Sequence, residues 1–256
     1  MNLSNCYPSL SGKTVFITGG GSGIGACLVK SFAQQGANVA FVDILEEQSK
    51  DLVANIQEEV PNAKVNFILG DLVDVVSLQT IITKVEQQMG NISVLINSAA
   101  SDTRHSIEAV TPEYWDSRMN INLKHYFFAI QAVQQQMNNI GGGSIINMGS
   151  MCWHDSQRGM PAYSAAKAGV EGLTRGLAKD LGQHKIRINT ITPGWVMTDR
   201  QLTHWVNENT EKKIAESQCL KEYVMPLDIA AMALFLASDD SKHCTAQNFI
   251  VDGGWI

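Results

Sequence analysis

The chain has 256 residues, 45% of them apolar and 17% charged, with 21 glycines and 6 prolines; this excludes intrinsic disorder, collagen-like repeats and proline-rich linkers. With 19 basic against 25 acidic residues the formal charge is −6, so attraction to nucleic acid or to an anionic membrane is not expected. The five cysteines (Cys6, Cys27, Cys152, Cys219, Cys244) are scattered without a C-x-x-C pair, and residues 1–8 hold neither a basic stretch nor an apolar run; a reduced, cytoplasmic protein without a secretory signal is expected.

Short β-branched runs alternate with segments of helical period along the whole chain. Thr14–Thr18 reads as a strand, then glycines, then a helix over residues 24–35. Residues 38–42 make a second strand and Glu46–Glu59 a second helix. Lys64–Leu69 is a third strand, and Val75, Leu78, Ile82, Val85 and Met89 form one apolar face at helical spacing. Strands are expected again at residues 94–97, 144–147, 187–191 and 249–251, with helices near 112–138, 161–183 and 226–237. The longest apolar run, residues 229–237, falls short of the about 20 needed to span a bilayer.

Apolar runs without clean alternation suit a parallel sheet covered on both faces. The predicted fold is therefore α/β: a single domain over residues 1–256, with a Rossmann-type doubly wound parallel sheet of about seven strands and helices on both faces. Residues 198–219 are polar, helical over 208–216, and lie near the C-terminal end of a strand, which predicts a substrate lid.

The stretch Thr18-Gly19-Gly20-Gly21-Ser22-Gly23-Ile24-Gly25 ends the first strand and opens the first helix. Glycines there let the backbone turn tightly and approach a pyrophosphate, which the helix N-terminus attracts. Alone such a string is also an ordinary turn; its position between strand and helix favours the nucleotide reading. Asp43 ends the second strand, placed to accept ribose hydroxyls and repel a 2′-phosphate. Ile44, Leu45 and Ser22 offer no cation, so NAD is preferred over NADP. A solvated turn acid is the plainer alternative. Asp71-Leu72 is placed to meet the adenine edge, although an Asp at a strand end also caps helices.

Tyr163 and Lys167 lie four residues apart, on one face of a helix. A tyrosine with a pKa near 10 is a poor base at neutral pH; a neighbouring ammonium and a nicotinamide cation both favour its phenolate. Ser150 closes the fifth strand, where its hydroxyl can bond a substrate oxygen. Most Tyr-x-x-x-Lys pairs are surface contacts, but this one follows a dinucleotide loop and a strand-end serine.

At these residues the sequence resembles the short-chain dehydrogenase/reductases. The likeness runs from about Leu10 to Ile256 through the 18–25 loop, Asp71-Leu72, Asn97-Ser98-Ala99-Ala100, Asn122-Leu123, Ser150, Tyr163/Lys167 and Pro193-Gly194-Trp195-Val196-Met197-Thr198. The resemblance implies a catalytic tetrad of Asn122, Ser150, Tyr163 and Lys167. Tyr163 would be the acid/base, Ser150 would orient the substrate oxygen, Lys167 would hold the ribose, and Asn122 would position a water. It implies cofactor contacts from Gly19, Ser22, Gly23, Ile24, Gly25, Asp43, Asp71, Leu72, Asn97, Ala99, Tyr163, Lys167, Pro193, Gly194, Val196 and Thr198. One departure is that Ser98 and Ala100 stand where the family has Asn and Gly, so Ala100 adds a Cβ beside the cofactor path.

Tyr7-Pro8-Ser9-Leu10, Arg104-His105, Tyr114-Trp115-Asp116, residues 149–154, residues 218–221 and residues 251–256 are similar to bacterial NAD-dependent aldose 1-dehydrogenases, notably those acting on D-xylose. That likeness implies oxidation of the anomeric C1 hydroxyl of a pentose, such as D-xylose or L-arabinose, or a related hexose, to the lactone. Because each sugar hydroxyl needs a partner when desolvated, Arg104, Trp153, His154, Asn97 and Trp195 are candidate substrate contacts beside Ser150, with Trp205 at the mouth. Each also has a structural alternative in a loop, an ion pair or an interface. The six histidines include no pair at i, i+4 and no H-E-x-x-H, so no metal is expected; nor is there a G-x-S-x-G elbow. The rivals are a catalytically silent NAD-binding sensor and an NAD(H)-dependent ketone/3-oxoacyl or polyol short-chain reductase. The family resemblance also implies a homotetramer.

Overall fold

Seven of the β-branched runs become strands: β1 (Thr14–Thr18), β2 (Asn38–Asp43), β3 (Lys64–Leu69), β4 (Ile92–Asn97), β5 (Gly143–Met148), β6 (Ile186–Pro193) and β7 (Asn248–Val251). They come from a computed structural model that describes residues 5–256; the part of the N-terminal reading that rests on Met1–Ser4 lies outside them. The strands form one sheet in the order β3-β2-β1-β4-β5-β6-β7, every neighbouring pair parallel. The register sets Thr18 beside Asn97, Asn97 beside Asn147 and Asn147 beside Thr190, so the C-terminal strand ends share one rim. The strand order reverses between β1 and β4, which opens a ligand crevice at that rim.

The helices are α1 (Gly23–Gln34), α2 (Glu46–Glu59), α3 (Val75–Met89), α4 (Pro112–Met119), α5 (His125–Asn139), α6 (Pro161–Gly182), α7 (Asp199–His204), α8 (Glu208–Ser217) and α9 (Pro226–Ala237). Burial on both faces explains why the strands read as unbroken apolar runs. Val15, Ile17, Val39, Phe41, Val94 and Ile96 pack with Leu28 and Phe32 of α1 and with Ile229 and Ala233 of α9. Their alternates Phe16, Ala40, Val42, Leu95 and Ile145 pack with Leu78 and Ile82 of α3 and Ala129 and Val133 of α5. Each fully buried Val, Leu, Ile or Phe among them contributes about 1.5–3 kcal/mol.

Two elements differ from the sequence reading. The helix expected over 112–138 is broken: α4 and α5 are joined by a π turn, Asn120–Lys124, in which the His125 N–H reaches back to the Asn120 carbonyl. Segment 198–219 also holds a short helix that periodicity does not reveal, α7, capped by Thr198, whose hydroxyl accepts from the Gln201 N–H. Among the described residues no helix is long and apolar enough to cross a membrane.

Candidate active site

The glycine loop between β1 and α1 is shaped by close backbone approach. Gly19 has φ +70°, and a Cβ there would lie 2.6 Å from the Ala99 Cα; a Cβ on Gly25 would collide with the Gly19 carbonyl. Asp43, buried at the end of β2, braces the loop: Oδ2 accepts from the Gly21 N–H at 2.8 Å and Oδ1 from the Leu45 N–H at 3.0 Å. Carboxylate oxygens each take more than one hydrogen bond, so acceptor capacity remains. Ser22 precedes α1 without a side-chain cap bond, and Ile24 and Gly25 form the first turn. Thr198 packs over the loop, its Cγ2 3.3 Å from where a Cβ on Gly23 would stand.

Other expected cofactor residues gather on the same rim. Asn97 is buried and donates to Asn147 Oδ1 at 2.9 Å, while its own Oδ1 has no partner among the described residues. The Ala99 N–H leans on Thr18 Oγ1 at 3.3 Å. Pro193 ends β6, Gly194 donates to the Val251 carbonyl at 2.9 Å, and Val196 is buried against Val224 through an isolated bridge. Asp71 is exposed and closes a local turn on the Val73 N–H at 3.0 Å, while Leu72 enters the core. Ala100, the departure from the family pattern, is exposed. A loop packed too closely for side chains at Gly19 and Gly25, an orphaned buried amide oxygen and a strand-end carboxylate together fit a nicotinamide dinucleotide.

Tyr163 and Lys167 sit in the first two turns of α6. That helix is pinned to the sheet by a buried polar chain: Asn147 Nδ2 donates to Thr174 Oγ1 at 3.0 Å, and Thr190 Oγ1 to Thr174 Oγ1 at 2.9 Å. Lys167 is buried, donates to the Met148 carbonyl at 2.7 Å and to Tyr126 Oη at 2.9 Å, and its Nζ lies 5.6 Å from the Tyr163 ring centre. Ser150 caps the turn Met151–Trp153, accepting from the Cys152 N–H at 3.3 Å, and its hydroxyl also bonds Tyr163. Asn122 is buried in the π turn and gives both ends of its amide to Ser101: Oδ1 accepts from the N–H at 2.8 Å and Nδ2 donates to the carbonyl at 3.2 Å. Its side chain thus holds the segment after β4.

Burial pushes the Tyr163 phenol upward, with Cys152 and Asp102 adding to the effect; the Ser150 hydrogen bond and the Arg104 guanidinium oppose it. Among the protein's own groups burial is therefore dominant, and the expectation of a phenolate favoured jointly by the ammonium and a nicotinamide cation concerns the cofactor-loaded enzyme. Burial also lowers Lys167 to about 7, because an ammonium away from water is disfavoured.

The expected substrate residues fall into two groups. Arg104 reaches the Tyr163 side: its Nη1 donates to Met160 Sδ at 3.2 Å and its guanidinium lies 4.9 Å from the Trp205 ring centre. The indole N–H groups of Trp195 and Trp205 are buried without partners among the described residues, and Trp195 stacks on Trp255 at 6.5 Å. Trp153 and His154 instead stack on each other at 3.6 Å and both meet Glu171 Oε1 at 3.3 Å. Segment 198–219 is tied down at Asp102 and Asp155, among other contacts. Arg200 Nε and Gln201 Nε2 donate to Asp102 at 3.2 and 2.9 Å, and Lys213 donates to Asp155 at 2.9 Å. Asp102 and Tyr126 were not singled out from the sequence. Asp102 lies in a loop and carries no periodic signal; Tyr126 reads as one more aromatic on a helix.

A family model described as enoyl-(acyl carrier protein) reductase matches residues 19–256. A probable galactose dehydrogenase of Rhizobium meliloti is 45% identical over 251 residues, covering 98% of each chain. A D-xylose 1-dehydrogenase of Caulobacter vibrioides is 44% identical over 253 residues, covering 98% of this chain and 99% of that one. The solved structure of a short-chain type dehydrogenase/reductase from Mycobacterium ulcerans matches with a TM-score of 0.92 at 25% identity, covering 96% of this chain and 90% of the other.

Proposed function

The chain belongs to the short-chain dehydrogenase/reductase family, and from that premise we propose that it is an NAD-dependent aldose 1-dehydrogenase. It oxidises the anomeric C1 hydroxyl of a cyclic pentose such as D-xylose or L-arabinose, or of a related hexose, to the lactone. One observation carries the chemistry: a phenol, Tyr163, stands with Ser150 and the buried Lys167 at the C-terminal end of β5. A sugar as substrate is supported by the near full-length likeness to a D-xylose and a galactose dehydrogenase. The unsatisfied indole donors of Trp195 and Trp205 suit a polyhydroxylated ligand.

Gly19, Ser22, Gly23, Ile24, Gly25 and Thr198 would hold the pyrophosphate, Asp43 the adenosine ribose, and Asp71-Leu72 the adenine edge. Asn97, Ala99, Pro193, Gly194 and Val196 would surround the nicotinamide half. When bound, the cofactor supplies the acceptor for the C1 hydride. Ser150 holds the C1 oxygen, Tyr163 as phenolate removes its proton, and Lys167 as ammonium favours that phenolate. Carbon one loses a proton from oxygen and a hydride from carbon, and so becomes the lactone carbonyl. NAD rather than NADP is supported by the buried Asp43 carboxylate, which a 2′-phosphate would face, and by the exposed Ile44 beside it.

Five free cysteines suit a reduced, cytoplasmic setting, and the half-exposed Phe127 on α5 suits a homotetramer built through α5 and α6; light scattering at twice or thrice the chain mass, or at the chain mass itself, would exclude that assembly. The test of function is formation of NADH and lactone with a panel of pentoses and hexoses, repeated with NADP in place of NAD, beside oxidation of NADH by 3-oxoacyl thioesters. Turnover of one or more aldoses with NAD is expected. Turnover of the thioesters alone would move the chain to the 3-oxoacyl reductases, one of which, from Thermotoga maritima, is 35% identical over 247 residues.

A further inference from the structure

Lys167 is held by two acceptors that face it from the sheet and from α5. Its Nζ donates to the Met148 carbonyl at 2.7 Å, at the end of β5, and to Tyr126 Oη at 2.9 Å. An ammonium has three N–H donors, so one is left for the site itself. Tyr126 is fully buried. Its hydroxyl lies 3.2 Å from the Met148 carbonyl and 3.5 Å from that of Ala99, either of which accepts its proton. One hydroxyl therefore bridges the ends of β4 and β5 and still offers a lone pair to the amine. The His125 ring packs edge-on against the Tyr126 ring at 4.5 Å, fixing its orientation.

We propose that Tyr126 is a positioning residue: with the Met148 carbonyl it fixes the Lys167 ammonium where its remaining N–H serves Tyr163 and the cofactor ribose. The proposal rests on the reading of Tyr163 as the base. Apolar side chains at 126 would fill the same space, but only a hydroxyl there gives Lys167 a second acceptor, and buried donors left unmade are costly. Burial holds the Tyr126 phenol well above its usual range, with Tyr163 adding to the effect. Tyr126 therefore stays neutral, as an acceptor toward the amine and a donor toward the carbonyls. The titratable or charged groups facing Lys167 are His125 and Tyr126 from α5, Tyr163 from its own helix, and Cys152 from the turn after β5. Asp102 and Arg104 act on Tyr163 from the loop after β4. Burial has already drawn Lys167 to about 7. Losing an acceptor for the charged form draws it lower, which withdraws positive charge from the phenolate near neutral pH.

The experiment pairs Tyr126→Phe with isotope-labelled lysine NMR and a rate profile against pH. In Y126F the Lys167 resonance is expected to titrate about one pH unit lower than in the natural chain. The acidic limb of kcat for sugar oxidation moves to higher pH, kcat at neutral pH falls about tenfold, and KM for sugar stays put. A purely structural role would lower Tm without moving either titration, and an unmoved Lys167 midpoint overturns the proposal. In the natural chain, where folding is not at issue, the Tyr126 Cζ resonance is expected to follow the Lys167 midpoint; independent midpoints also overturn it. Both NMR readouts need no substrate, so a chain that oxidises no sugar would sink the proposed function and still leave Tyr126 judged.

Discussion

Two residues of opposite charge act on the same phenol. The Arg104 guanidinium opposes the burial that raises Tyr163, and Asp102 reinforces it. With phenolate as the proposed base, sugar oxidation is expected to be lost as pH falls through the phenol's pKa. Arg104→Met removes the stabilising cation and should move that acidic limb to higher pH; Asp102→Asn removes the opposing anion and should move it lower. Rate profiles of the two variants measured against the natural chain check this, and shifts of the same sign would refute the electrostatic assignment. Asp43→Ala removes the carboxylate that a 2′-phosphate would meet, and discrimination between NAD and NADP should fall by about tenfold or more, read from the ratio of kcat/KM values. It also strands the Gly21 N–H, at a cost of about 1–3 kcal/mol in unfolding free energy. Tyr163 and Lys167 were legible because one helix turn brings them together and spacing reports it. Arg104, Asp102 and Tyr126 reach the site through loops and a packed helix, which no periodicity encodes.

At the level of elements, the π turn and α5 carry a cost that shows at low pH. His125, the first residue of α5, is fully buried, and neither ring nitrogen meets the geometry of a hydrogen bond among the described residues. Burial, then the Lys167 charge, lowers it from 6.5 to about 3. The unfolded chain binds this proton first as pH falls, so stability from neutral His125 is whole above about 6.5. It is lost on the way down to about 3, at up to about 1.4 kcal/mol per pH unit. In His125→Phe the dependence of Tm on pH should flatten across that window; an unchanged slope would show that other groups set it. The break at residues 120–124 was hidden from the sequence because Asn122 is polar in an otherwise helical stretch, and its pairing with Ser101 appears only once β4 and the π turn are adjacent. Segment 198–219, expected to act as a lid, shows the same limit. Its polarity and helix over 208–216 were legible, but α7 depends on the Thr198 cap and on the tether to Asp102.

For the whole molecule, the parallel sheet could be read from the β-branched runs because burial on both faces removes the alternation that a half-exposed strand would show. Its reversal between β1 and β4 puts the glycine loop, Asp43, Asn97 and the strand-end Ser150 on one rim. At the substrate end the sequence names residues but not their partners: Arg104 acts on Tyr163, and Trp153 and His154 both bond Glu171. The role of Tyr163 is tested most directly by the initial rate of NADH formation with D-xylose and D-galactose for the natural chain and Tyr163→Phe, with cofactor binding measured for both. A loss of about a thousandfold in kcat with cofactor binding retained is expected. A Phe variant that keeps its rate within about tenfold would contradict Tyr163 as the base.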